Sequence, residues 1–307
     1  MLRHVVLGIL FALQACATRT APVGDRAADP ALLADVKRTI AALGPGIRAA
    51  IWLSPPLGQP LLAINEDQPM PVASAIKVGY LVELFAALPD ALDRPFPNAA
   101  TILADGKHPA VAHFTPAQRA TAQKALATAT VRRVAEAMIT GKGVDNLTYN
   151  VAANLVTAFF GGPTWLEAKL HARDPDWKGL RVRRYMLADR TANGDNEATA
   201  HSLAAVHGRL ALGAIPGVDP RAVAAARDIL ARPADPTGRR VFAKGGSLDS
   251  DPITRVEAGW HEGPRGTLVH VVMLAQDGVK DEARSAAGQR LGDAARAIEA
   301  LLVADRR

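Results

Sequence analysis

The sequence predicts a mixed α/β (α+β) fold: an antiparallel sheet of about five strands, covered by N- and C-terminal helices, with an all-helical domain inserted between its two halves. Three observations carry this. Segments rich in β-branched residues occur only near the two ends of the chain. The middle carries helical periodicity interrupted by long loops. Both ends of the folded region read as helices.

Taken in order, Ala31 to Leu43 places Leu32, Leu33, Val36, Ile40 and Leu43 on one helical side, and Gly44-Pro45-Gly46 stops it. Ile47 to Leu53 is a strand, Ser54-Pro55-Pro56 a turn, and Pro60 to Asn65 a returning strand. Ala73 to Leu88 reads as a helix too apolar to lie on a surface. Val131 to Ile139 and Asn150 to Phe160 are the clearest helices of the middle. Val241 to Ser247, Thr254 to His261 and Thr267 to Gln276 are three strands, with turns at Asp249-Ser250-Asp251-Pro252 and Gly263-Pro264-Arg265-Gly266. Asp281 to Val303 closes the chain as an amphipathic helix. Residues 30–88 and 213–307 are thus expected to form the α/β domain and 89–212 the helical insert, with a cleft between them as the expected site.

The first residues stand apart. Arg3 and His4 precede an apolar run, Val5 to Ala15, that suits a signal peptide over residues 1–15 and is too short to span a bilayer comfortably. Leu13-Gln14-Ala15-Cys16 resembles a bacterial lipobox, which implies lipidation of Cys16 as the mature N-terminus. Residues 16–29 then form a polar tether. The expected location is periplasmic and membrane-anchored, outer rather than inner, because Ala17 gives no inner-membrane retention signal. Cys16 is the only cysteine, so no intramolecular disulfide exists. The net charge of +6 comes from scattered Arg and Lys without a basic stripe or stacking aromatics, which argues against nucleic-acid binding.

Three short motifs carry the chemistry. Ser74-Ala75-Ile76-Lys77 opens the apolar helix, placing a hydroxyl and an amine one turn apart. A serine nucleophile needs a base, and a desolvated Lys77 has a lowered pKa suited to that work. Thr148-Tyr149-Asn150 follows, and Asn154 continues its frame. Lys244-Gly245-Gly246-Ser247 lies on the first C-terminal strand, where a glycine lets a ligand approach the strand edge closely. In kind and in order the three resemble the Ser-x-x-Lys, Ser-Asp-Asn and Lys-Thr-Gly motifs of class A β-lactamases and penicillin-binding proteins. The resemblance spans roughly Ala31 to the end of the chain.

The resemblance implies an acyl-transferring serine hydrolase with Ser74 as nucleophile, Lys77 as its activating base and Thr148 as a proton relay. Asn150 and Lys244 would position substrate, and Gly246 would admit it to the strand edge. The backbone N–H groups of Ser74 and Ser247 would form the oxyanion hole. The sequence departs from the family in several places. Threonine stands at 148, tyrosine at 149, and Gly245 lacks a hydroxyl that binds substrate carboxylate. The loop glutamate that activates the deacylating water is missing, with Tyr185 in its register and Asp189 the nearest acid. Acylation is therefore expected to outrun turnover. The expected ligand is a β-lactam or a peptidoglycan-like small molecule. The alternatives are a peptidase or esterase of the same fold, and a non-catalytic lipoprotein that binds cell-wall peptide or a partner. No metal-ligand spacing is present, so neither metal nor cofactor is expected, and the chain reads as a monomer. His171, His201 and His207 read as surface or capping residues, and the four tryptophans as packing residues.

Overall fold

The structure, a computed structural model, describes residues 25–304; the expected signal peptide, Cys16 and most of the tether lie outside the described residues. Strand β1 (Arg26–Ala27) and helix α1 (Pro30–Ala41) precede β2 (Ile47–Ser54), β3 (Leu62–Ile64) and β4 (Met70–Pro71). A 3₁₀ turn over Ala73–Ile76 runs directly into α2 (Lys77–Ala87). Then come α3 (Ala99–Ala104), α4 (Pro116–Leu126), α5 (Val131–Thr140), α6 (Asn146–Phe159), α7 (Pro163–Arg173) and α8 (Arg190–Asn193). Strand β5 (Glu197–Ala198), α9 (Ala200–Ala211), α10 (Pro220–Leu230) and β6 (Ala231–Arg232) lead to β7 (Arg240–Ala243) and β8 (Gly246–Leu248). The chain ends with β9 (Ile253–Gly263), β10 (Gly266–Gln276) and α11 (Arg284–Val303).

Among the described residues the main sheet has eight strands, in the order β1-β3-β2-β10-β9-β7-β6, with β8 also paired to β9. This exceeds the expected five or so, because short edge strands carry too little pattern to be read and because one expected strand is two. Val241 to Ser247 divides at Lys244 and Gly245 into β7 and β8, both in one register against β9. The central β2–β10–β9 ladder joins the two ends of the chain, as expected. Alternation along β2 sends Ala49, Ile51 and Leu53 to one face and Ala50 and Trp52 to the other. The first face packs under α1 and α11. The second packs against α2, α9 and the helical insert. Helix α9, within the interval assigned to the insert, lies on β2, β9 and β10.

Helix α2 is apolar on all sides and is buried on all sides. Its one carboxylate, Glu83, is fully buried and accepts two hydrogen bonds from Arg173 of α7, at 2.8 and 3.0 Å, tying the insert to the central helix. Two readings of the aromatic residues change. His207 is fully buried beside Trp260, because α9 lies on the sheet and not at the surface. Trp165 is 66% exposed at the start of α7, lying over Gly161, while Trp52, Trp177 and Trp260 are buried. Among the described residues no helix is long and apolar enough to cross a membrane.

Candidate active site

A cleft of about 910 Å³ lies between the 3₁₀ turn, the start of α6, the 184–187 loop and β8. Ala73 enters the turn with φ +49°, a left-handed conformation that is costly for a residue with a Cβ and that redirects the chain just before Ser74. A 3₁₀ helix has three residues per turn, so residues three apart eclipse. Ser74 and Lys77 are consequently stacked along the same line at the cleft floor.

Lys77 is fully buried. Its Nζ donates to Asn150 Oδ1 at 3.0 Å and to the Tyr149 carbonyl at 3.5 Å, and lies 3.2 Å from the centroid of the Tyr149 ring. Burial, and then the charge of Lys244, hold its pKa well below the ordinary lysine value. Lys244 donates to the Tyr149 hydroxyl at 2.8 Å and to the Gly245 carbonyl at 3.1 Å. Burial lowers Lys244 to about 7, with Arg232 pushing the same way and Glu257 opposing. Burial raises the phenol of Tyr149, while its hydrogen bond with Ser74 acts against that rise. The phenol therefore joins the serine to Lys244, with Lys77 against its ring.

Ser74, Lys77, Asn150, Lys244, Gly246 and Ser247 come together here as expected from their motifs. A Cβ on Gly246 would sit 2.6 Å from the Val72 carbonyl oxygen and 2.9 Å from the Ser74 nitrogen, so only glycine lets β8 lie against the turn. Thr148 and Asp189 do not join the site. The expected helix begins at Asn150, but α6 begins at Asn146, which puts residues 146, 149 and 150 on the cleft face at helical spacing. Thr148 then points elsewhere. It is buried at the helix N-terminus, where Asp145 accepts from both its N–H and its hydroxyl. Asp189 is exposed, caps α8 by accepting from Thr191 N and Oγ1, and does not line the cleft. Those hydrogen bonds hold its pKa low, side chain first and backbone second. Tyr185 also lies off the cleft, its hydroxyl 3.5 Å from where a Cβ on Gly162 would be.

The residues missed from the sequence are Tyr149 and Glu257. The signal for Tyr149 was its place one residue before Asn150, legible only once the helix start is known. Glu257 is half-buried and stands across the ladder from Gly245, where a Cβ would come within 3.1 Å of its Oε2. Burial, and then Glu299, raise Glu257 to about 7. The other carboxylates lining the cleft are ion-paired: Asp195 with Arg184 and Arg190, Asp249 with Arg255.

Solved structures share this fold. They include a β-lactamase from Burkholderia vietnamiensis (18% identity, 91% of this chain and 98% of that one, TM-score 0.62). A β-lactamase from Streptomyces albus G aligns with 20% identity over 84% of this chain and 98% of that one, TM-score 0.56. The TLA-1 extended-spectrum β-lactamase aligns with 12% identity over 89% and 99%, TM-score 0.65. No curated protein sequence matches the chain. A sequence profile described as the beta-lactamase enzyme family matches residues 34–298, and with the Ser74–Lys77–Asn150–Lys244 constellation in the cleft, this chain belongs to that family.

Proposed function

We propose that the protein is a serine hydrolase that β-lactams or related amides acylate at Ser74 and that releases the acyl group slowly. The observation that carries this reading is the Tyr149 phenol, bonded to Lys244 over a buried Lys77 in the cleft that Ser74 lines. Ser74 Oγ attacks the carbonyl carbon. Its proton passes to the Tyr149 oxygen as the phenol gives its own proton to the leaving amide nitrogen and the C–N bond breaks, so that Tyr149 takes the relay role expected of Thr148. Lys77, whose pKa burial and then Lys244 hold well below the ordinary lysine value, is the candidate general base. The N–H groups of Ser74 and Ser247 are the candidate donors to the oxyanion. Arg184, Arg255 and Arg296 of the cleft are in ion pairs, and Lys244 favours a substrate bearing a carboxylate.

The test is intact-mass spectrometry over time after mixing with benzylpenicillin. A persistent mass gain that vanishes in Ser74→Ala is the expected result. Absence of any adduct together with intact drug removes the β-lactam reading. A peptidase or esterase reading has one observation in its favour. With glycine at 245, the position that would offer a carboxylate-binding hydroxyl instead exposes the Glu257 carboxyl. Hydrolysis of a neutral ester without acylation by penicillin would support that reading.

A further inference from the structure

The face of the sheet turned away from the cleft holds a second cluster of chemically capable side chains. His261 of β9 and His270 of β10 point to this face, beneath α11, and Glu299 of α11 meets both. The Glu299 Oε1 atom lies 3.4 Å from His261 Nε2 and 3.2 Å from His270 Nε2, and the three donor atoms fall within 4.8 Å of one another. We propose that His261, His270 and Glu299 form a binding site for one divalent transition-metal ion, with Zn²⁺ the best fit to the donor set.

Glu299 pairs directly with both histidines, and the spacing also suits an ion held between the three. Zinc bonds of about 2.0–2.1 Å to nitrogen and oxygen set a tetrahedral ligand–ligand edge of about 3.3 Å. The two imidazole–carboxylate separations, a long hydrogen bond at 3.4 Å to His261 and a 3.2 Å contact to His270, match that edge. His270 is fully buried; its Nδ1 has no partner, and its Nε2 meets only the Glu299 carboxylate, at 3.2 Å and without hydrogen-bond geometry. A buried imidazole left so is uncommon unless something else occupies its lone pair. An outer carboxylate stands near His261, as beside many metal-bound histidines: Asp235 Oδ2 lies 3.4 Å from its Nδ1, within ion-pair range but without hydrogen-bond geometry. Asp235 is itself fixed by Thr237 and Arg239. Two imidazoles and one carboxylate leave a fourth position for water, and the partly exposed Glu299 side chain provides a route inward. The ligands come from two neighbouring strands and a helix, so no sequence spacing announces them.

The test uses the purified chain, dialysed against a chelator and titrated with zinc sulfate alone. One equivalent is expected to bind. Zinc-edge X-ray absorption should show two imidazole nitrogens and the remaining ligands oxygen. A His261→Gln/His270→Gln double variant, with its fold checked by circular dichroism, should lose at least a hundredfold in affinity. Asp235→Asn should lose about 10–100-fold, as removal of an outer-shell partner does. Failure to bind stoichiometric zinc, a spectrum without two imidazoles, or a folded double variant with undiminished affinity would each overturn the proposal. Should the double variant not fold, the spectrum of the unaltered chain decides.

Discussion

At the residue scale, the reactive serine depends on groups whose charge is set by burial. Tyr149→Phe keeps the ring over Lys77 but removes the hydroxyl that contacts Ser74 and Lys244. It should slow acylation by about 10²–10⁴, the range for a positioned proton-transfer group. Thr148→Val should change the acylation rate by no more than a few-fold, since that hydroxyl serves Asp145 and not the cleft. Stopped-flow acylation of the two variants separates the roles, and a larger loss in Thr148→Val would reverse the assignment. The pH dependence follows from Lys244, which is cationic below about 7 and neutral above it. Tyr149, Arg232, Glu257 and Lys77 surround it, and burial dominates its shift. Affinity of a Ser74→Ala protein for benzylpenicillin should therefore fall several-fold as pH rises through about 7, while affinity for a neutral ester analogue should not. Titration calorimetry across that range measures both.

At the element scale, the site is made by two interruptions of regular structure. The 3₁₀ turn before α2 aligns Ser74 with Lys77, and the break between β7 and β8 frees Lys244 and Gly245 from strand geometry. Contact between them requires Gly246. Gly246→Ala should drive a methyl group into the Val72 carbonyl and the Ser74 amide, displacing β8 from the turn. Acylation is expected to drop at least tenfold. The thermal midpoint should shift only modestly, because β8 is a short strand at the sheet edge and the β7–β9 pairing persists. Loss of fold with no folded fraction to assay would show instead that this contact is structural.

At the scale of the whole molecule, slow turnover is the outcome expected from where the carboxylates lie. Asp195 and Asp249 are held in ion pairs, Asp189 caps an outer helix, and Glu257 stands opposite Gly245. No carboxylate is left unpaired beside Ser74 among the described residues lining the cleft. The acyl-enzyme should accordingly deacylate at least about 10² more slowly than it forms, since a general base contributes that much or more. Comparing single-turnover acylation with steady-state hydrolysis gives the ratio, and equal rates would reveal a base elsewhere.

The sequence by itself determined the order of the elements, the closing of the sheet from both chain ends, and the positions of Ser74, Lys77, Asn150 and Lys244. These follow from local periodicity and from motifs whose residues are near neighbours. Tertiary structure alone decided the rest. A shift of four residues in the start of α6 exchanged Thr148 for Tyr149 at the cleft, because helical rotation turns successive side chains by about 100°. Long-range pairing set Glu257 opposite Gly245, and it gathered His261, His270 and Glu299 beneath α11. Such contacts depend on register and packing between segments distant in the chain, and single-segment patterns carry no record of them.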